Sequence, residues 1–309
     1  MGGLINYSFI IPHKNTTELL QRCLNSIPCR DDVQVVIIDD NSDPEKTDFE
    51  NFPGLNEPHI EVVFSKEGKG AGYARNIGLS KAVGQWIVFA DADDFFMDGI
   101  LEYFDKYKDS SYDLVYFGIS RVVKKTKRKR EQYREYDKRI RDAIYKNRHD
   151  EYKYTAYFPW GKLIRASLVK ENGICFDEVM VANDIMFSLK TAYHSQNTCF
   201  DMDKIYTYMA EDSQLTGTKT VKANFNRFSV YIRMNCFFRS ISKNKYKKNL
   251  VLPLRKLMNI HDMTYFYNGI RLMKENNFSI FAELCMFCLS MPRRIWGKMI
   301  GKIAVKSWA

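Results

Sequence analysis

The chain has no run of about 20 apolar residues, the length a membrane-spanning helix needs. It has no internal repeat and no low-complexity linker, which argues against a repeat array. Its opening residues, MGGLINYSFIIPH, lack a basic segment and a long apolar segment, so no secretory signal is expected. Asn6 stands where a myristoylation signal wants Ser or Thr. Acids are scarce relative to bases: 37 Asp and Glu face 47 Lys and Arg, a net charge of +10. That balance points to acidic partners such as nucleic acid, an anionic membrane or phosphorylated substrates. The seven cysteines are odd in number for so long a chain, which suggests a reducing compartment. Only Cys285 and Cys288 have metal-like or redox-like spacing. They lie in the apolar helical stretch FAELCMFCLSM, where buried core thiols are expected.

What is present is a core. Hydrophobic residues make up 45% of 309, enough for one large domain or two modest ones. The first 120 residues alternate strand and helix signals. YSFIIP is a short strand that Pro12 stops. NTTELLQRCLNSI has helical spacing, with Asn15 as its expected cap and Glu18 as the reciprocal partner. VQVVIID is apolar on both faces, as a covered parallel strand should be. IEVVFS and QWIVFA follow as strands, with GAGYARNIGLSKAV between them as a turn and helix. Helix DGILEYFDKYK and strand YDLVYFGIS come next. Repeated strand–helix–strand units predict a parallel, doubly wound sheet, whose ligands bind beyond the carboxyl ends of the strands.

That rim is where the polar residues collect. The first strand ends at Pro12, His13, Lys14 and Asn15, the second at Asp39 and Asp40. WIVFA runs into Asp91, Ala92, Asp93 and Asp94. Carboxylates about 4 Å apart repel by roughly 4 kcal/mol at an effective dielectric near 20. Such a cluster needs a cation, a proton or open water, and a solvated turn would also explain it. The stretch EGKGAGYARNIG fails the dinucleotide pattern and carries no P-loop Lys-Ser/Thr pair, so it reads as a turn delivering Arg75 and Asn76.

Residues 121–150 are strongly basic and interrupt the ordered pattern. A solvated charged segment or a contact with anionic lipid or phosphate both fit. Tyr133, Tyr136 and Tyr145 interleave there, as single-stranded RNA readers can require. NDIMFSLKTAY reads as a helix that Asn183 could cap. Beyond residue 220 the chain looks helical, basic and aromatic-rich. In its last stretch Ile295, Trp296, Met299, Ile300 and Ile303 form an apolar stripe among Arg293, Arg294, Lys298, Lys302 and Lys306. That pattern fits an interfacial helix on an anionic membrane, or an amphipathic helix packed on its own domain.

Taken together, SFIIPHKN with LLQRCLNSI, VVIIDDNSDP, GAGYARNIGL, WIVFADADDFF, WGKLIR and ANDIMF resemble the motifs of family 2 glycosyltransferases of the GT-A fold, the bacterial surface-polysaccharide type. The resemblance covers residues 7 to about 216. It implies an α/β, Rossmann-like, mostly parallel sheet over residues 1–219, with 121–150 as a basic insertion and 220–309 as a helical C-terminal region. It implies a nucleotide-sugar donor, usually a UDP-sugar, and a divalent cation, Mn²⁺ or Mg²⁺. The acceptor would be a saccharide or lipid-linked oligosaccharide, and the protein cytoplasmic and peripheral on the inner face of the plasma membrane.

The same resemblance assigns residues. Pro12 and its neighbours, Asn15 included, would line the nucleotide pocket. Asp39 would contact the base, with Asp40 supporting the loop, and Arg75 would lie near the nucleotide. Asp91-Ala92-Asp93 would be the Asp-x-Asp motif, Asp91 facing the ribose or metal and Asp93 ligating the metal. Asp94 would support the ligating acids from behind or stand on the acceptor side, Trp160 would stand on the acceptor side, and Lys162 would hold the acceptor side or the sheet edge. Trp160 could stack on a sugar or sit in the core. Asp184 would be the general base, or else a helix cap. Three departures stand out. His13-Lys14 replaces the usual aromatic after Pro12, and Asn183 replaces a Glu. Glu211 and Asp212 precede Ser213 and Thr216 where a base is usual, so Lys219 or Lys222 would have to substitute. Nucleic-acid binding through the basic stretch, and a non-catalytic scaffold, are the rival readings; the clustered acids argue against the first.

Overall fold

The computed structural model describes residues 4–123, 138–210, 220–259 and 262–290. Its contacts divide the chain into two units, Met1–Gly217 and Thr218–Ala309. The basic run 124–137 and the C-terminal stretch 291–309 lie outside the described residues, as do Glu211, Asp212, Ser213, Thr216 and Lys219. Lys222 is exposed near the start of helix Val221–Ser240.

The first unit is an eight-stranded sheet in the order β3-β2-β1-β4-β7-β6-β8-β5. The strands are β1 (Tyr7–His13), β2 (Val33–Asp40), β3 (Ile60–Ser65), β4 (Trp86–Phe89), β5 (Phe95–Phe96), β6 (Leu114–Val123), β7 (Lys162–Arg165) and β8 (Thr198–Ala210). β1 through β4 pair in parallel, with β1 in the middle. Helices α1 (Thr17–Asn25) and α2 (Ala71–Lys81) connect them. This half is the expected doubly wound arrangement, and only Gln34 of β2 escapes full burial. The other half is mixed. β7 runs antiparallel to β4 and β6, β8 parallel to β6, and β5 antiparallel to β8. Register shifts after Tyr116 and Gly118 break the β6–β8 ladder.

The parallel half determines where the site lies. β1 and β2 are in register from Tyr7–Val33 to His13–Asp39, so His13 and Asp39 end side by side. β4 pairs with β1 as far as Phe89–Ile10, which brings the acids after Phe89 to the same rim. Beneath them Phe9, Phe96 and Phe104 pack edge-on or tilted, with α3 (Ile100–Asp105) supplying Phe104.

Two expected caps are absent. α1 begins at Thr17 with no side-chain cap bond. Asn15 instead adopts a left-handed φ of 57° and ties the β1 and β2 loops together. Its N–H donates to Ser42 Oγ (2.8 Å), and its Oδ1 accepts from Asp43 N (2.7 Å). Helix Ile185–His194 likewise begins without a side-chain cap bond, because the Asn183 amide is engaged elsewhere.

In the second unit Thr220 caps helix Val221–Ser240 by accepting from Ala223 N (3.2 Å). Phe228, Ile232, Leu250, Leu254, Leu257 and Met273 form its core. The stretch expected to bury Cys285 is helical, Ile280–Ser290, yet Cys285 is exposed and Cys288 half-buried.

Candidate active site

The acids after β4 are sorted by burial. Asp91 and Asp93 are half-buried, while Asp94 is fully buried. Oxygens of all three lie within 4.8 Å of one another. Asp94 is bonded to β8 through both oxygens. Its Oδ2 accepts from the Tyr206 hydroxyl (2.6 Å) and its Oδ1 from Met209 N (2.7 Å), so β8 takes both oxygens. Burial, then the charges of Asp91 and Asp93, push its carboxyl up to about 9. Tyr206 also accepts from Asp91 N (2.9 Å), so one hydroxyl fixes the start of the acidic turn to β8. Arg22 adds a further anchor, donating to Asp93 O (2.5 Å) above the Phe95 ring. Ala92 is buried between the two outer acids.

Arg75 joins this turn to Asp184's neighbour. It is 6% exposed, its Nη2 donates to Asp91 Oδ1 (2.6 Å), and its Nη1 donates to Asn183 Oδ1 (3.0 Å). The Phe176 ring lies 5.3 Å beneath the guanidinium. Ala182 takes a left-handed φ of 61° immediately before Asn183 and Asp184. Phe187, one helical turn on, stacks on Phe176 (4.0 Å) and meets Phe89 of β4 edge-on (5.3 Å). Helix Ile185–His194 is thereby packed against the strand that carries the acids. Asp184 is half-buried and makes no cap bond. Burial raises its carboxyl above the usual range against the pull of Arg75; Asp91 adds to the rise and Lys162 opposes it.

Asp39 and Asp40 differ in how their oxygens are engaged. Asp39 is 1% exposed and its oxygens are taken: His13 Nδ1 donates to Oδ1 (2.8 Å), Ser42 N to Oδ2 (2.9 Å), and the Ser42 hydroxyl to Oδ1. Thr16 N donates to His13 Nε2 (3.0 Å), so the imidazole proton sits on Nδ1. Burial alone would raise the Asp39 carboxyl; the bonds from His13 and Ser42 outweigh it and hold it below the usual range. Three hydrogen bonds thus fix Asp39 to its loop. Asp40, 4% exposed, accepts from Gly70 N (2.9 Å) through Oδ2, while among the described residues its buried Oδ1 has no hydrogen-bond partner. Lys14 donates to Asp40 O (2.9 Å), and Pro12 is half-buried at the same rim.

The two remaining acceptor-side candidates sit in the core. Trp160 is 8% exposed and stacks on Phe158 (4.3 Å), Tyr206 (5.2 Å) and Tyr208 (5.4 Å), which leaves no open platform for a sugar. Lys162 is 1% exposed. Its Nζ donates to Ala156 O (3.0 Å) and Ser188 Oγ (3.4 Å), and lies over the Tyr116 and Phe158 rings. Burial pulls the ammonium down to about 7, against the nearby Asp184 charge.

Sequence reasoning missed Tyr206, Arg22 and the Arg75–Asn183 link. Tyr206 meets Asp94 across 112 positions and Arg75 meets Asn183 across 108, so no local motif encodes either pairing.

Known proteins resemble this chain in sequence and fold. The family model described as glycosyl transferase family 2 matches residues 8–173, and the chain belongs to that family. A poly(ribitol-phosphate) beta-glucosyltransferase of Bacillus spizizenii is 24% identical over 211 residues, 66% of this chain and 32% of its own length. The chain thus spans about a third of that relative. Among solved structures, Staphylococcus aureus TarS 1-349 in complex with UDP-GlcNAc superposes with a TM-score of 0.63 at 17% identity, covering 86% of this chain and 79% of that one. The mannosyltransferase PcManGT from Pyrobaculum calidifontis, in complex with GDP-Man and Mn²⁺, gives 0.55 at 17% identity, covering 96% and 84%. These likenesses establish the GT-A fold.

Proposed function

We propose that the protein transfers a sugar from a UDP-sugar to a hydroxyl of a saccharide or lipid-linked acceptor, with inversion, in the assembly of a capsule, O-antigen or lipooligosaccharide. One observation carries the reading. Asp91 and Asp93 are exposed enough to meet a ligand, and Arg75 links Asp91 to the residue preceding Asp184. The nucleotide sugars bound by TarS and PcManGT support the donor class.

The donor set suits a hard divalent cation, since Asp91, Asp93 and Asp94 bring carboxylate oxygens within 4.8 Å of one another. Mn²⁺ or Mg²⁺ held by Asp91 and Asp93 would supply Lewis-acid neutralisation of the diphosphate. Asp40 Oδ1, a buried acceptor without a donor among the described residues, suits the imide N–H of uracil. Arg75 keeps Asp91 aimed. The acceptor hydroxyl attacks the anomeric carbon and Asp184 takes its proton. The new bond joins that carbon to the acceptor oxygen, and the bond to the diphosphate breaks. The raised proton affinity of Asp184 fits this task. The protein would work in the cytoplasm, peripheral on an anionic membrane where lipid-linked acceptors reside.

The test is UDP release from a panel of UDP-sugars, with Mn²⁺ or with EDTA. One donor should be hydrolysed only with metal. Asp93→Ala should abolish binding and turnover together, whereas Asp184→Ala should keep binding and lose turnover. Donor hydrolysis untouched by EDTA or by Asp93→Ala would sink the assignment.

A further inference from the structure

Helix Ile280–Ser290 is built inside out. Its sequence, IFAELCMFCLS, holds one charged residue, Glu283, and that residue is 4% exposed. Glu283 Oε2 accepts from Leu250 N (2.9 Å), and Glu283 O accepts from Asn249 Nδ2 (2.9 Å). These bonds clamp the Glu283 side against the segment that opens helix Val251–Arg255. The opposite side faces out: Phe281 is 76% exposed, Leu284 43% and Leu289 85%, with Cys285 exposed among them. At 100° per residue, positions 281, 284, 285 and 289 share one face. Met286, 48% exposed, widens it. A helix bathed in water turns its charges outward and its apolar side chains inward. Here the pattern is reversed, so the helix calls for an apolar neighbour.

The sequence that follows indicates which neighbour. Residues 291–309, MPRRIWGKMIGKIAVKSWA, carry Arg293, Arg294, Lys298, Lys302 and Lys306 and no acid, with Trp296 and Trp308 among them. A second copy or a protein partner could cover an apolar face but would not call for an unbroken positive run beside it. An anionic bilayer calls for both: acyl chains for the apolar face, acidic headgroups for the cations, and an interface that tryptophan favours.

We propose that the outward face of Ile280–Ser290 inserts into the surface of an anionic membrane. This rests on the membrane-surface part of the proposed function and names the element that makes the contact.

The test uses the full chain and flotation with vesicles of phosphatidylcholine alone or with about a third phosphatidylglycerol. The protein should float only with the anionic vesicles, and should be released in about 1 M salt, where the screening length is ~3 Å. The triple variant Phe281→Ser/Leu284→Ser/Leu289→Ser changes exposed side chains only. It should partition roughly tenfold or more weakly. UDP release, measured on the same samples, should be unchanged. Equal flotation with neutral vesicles, or a triple variant that binds like the parent, would overturn the proposal. So would a parent that ignores both vesicles and sediments as a dimer that the triple variant dissociates. Intact UDP release without flotation would discard the membrane contact alone and leave the transferase reading standing.

Discussion

Asp184 and Lys162 are buried to different ends. The Asp184 carboxyl is raised by burial, so its proton is lost at a higher pH than an ordinary aspartate's. A general base works deprotonated. Turnover should therefore hold above the raised pKa and fall as pH drops through it, with the acid limb of kcat above the usual aspartate range near 3.9. Asp184→Asn should lower kcat by roughly 10²–10⁴-fold and remove that limb. Lys162 is shifted the other way, down to about 7. Between that value and the ordinary lysine range near 10.4 the unfolded chain binds more protons, so stability rises with pH across this window. At and below pH ~7 the native state carries the full cost of a buried ammonium. Lys162→Met should stabilise the fold by a few kcal/mol there, and the gain should vanish as pH approaches ~10. Denaturant melts at several pH values would check this; a pH-independent gain would mean that burial does not shift the Lys162 ammonium.

The site is assembled at the level of elements by α2 and the turn before helix Ile185–His194. Gly70 sits at φ 93° at the start of α2 and gives its N–H to Asp40, which a side chain at that φ would strain. Gly72 is close-packed: a Cβ there would fall 2.2 Å from Asp177 O and 3.0 Å from the Asn183 Cβ. The turn from Asp177 closes on itself through Asp177 N donating to Asn183 O (3.2 Å), so it moves as a piece. Gly72→Ala should push that turn, and Asp184 with it, away from Arg75. The expected cost is about 1–3 kcal/mol of stability together with a fall in kcat larger than any rise in the donor KM. A kinetic comparison with the parent would read the split, and unchanged kcat would mean that the turn tolerates displacement.

For the whole molecule, ligand binding and stability are linked. A ligand that binds only the folded chain adds about 2.7 kcal/mol at a hundredfold excess over its Kd, a rise of roughly 5–11 °C in Tm for a domain of this size. UDP with Mn²⁺ should give that rise and UDP with EDTA should not. Asp40→Ala should shrink the rise, since it removes the unpartnered acceptor. Asp39→Ala should chiefly lower the unliganded Tm, since it strips His13 and Ser42 of their shared partner. The opposite pattern would restore the base-reading role to Asp39.

The parallel half of the fold was legible in the chain because apolar periodicity and strand-end polarity are local properties. VVIIDD and WIVFA carry their burial and their rim position in their own residues. The same locality drew out the acids at Asp91 and Asp93, Arg75 in its glycine-rich turn, and Asp184 at its helix start. What tertiary structure alone decided is which of those polar groups are free to act. Asp39 and Asp40 are adjacent acids at the end of one strand, and only packing bonds both oxygens of the first and leaves, among the described residues, an oxygen of the second unpartnered. Asp94 looks like Asp91 until Tyr206, from the far side of the sheet, takes one of its oxygens. Trp160 reads equally as a sugar platform or a core residue until tertiary packing stacks it on Tyr206, and Lys162 reads as an acceptor-side or sheet-edge residue until β6 and helix Ile185–His194 enclose it. Sequence determines which chemistry a residue can offer. Burial and hydrogen-bond saturation, which depend on partners a hundred positions away, decide whether it remains available.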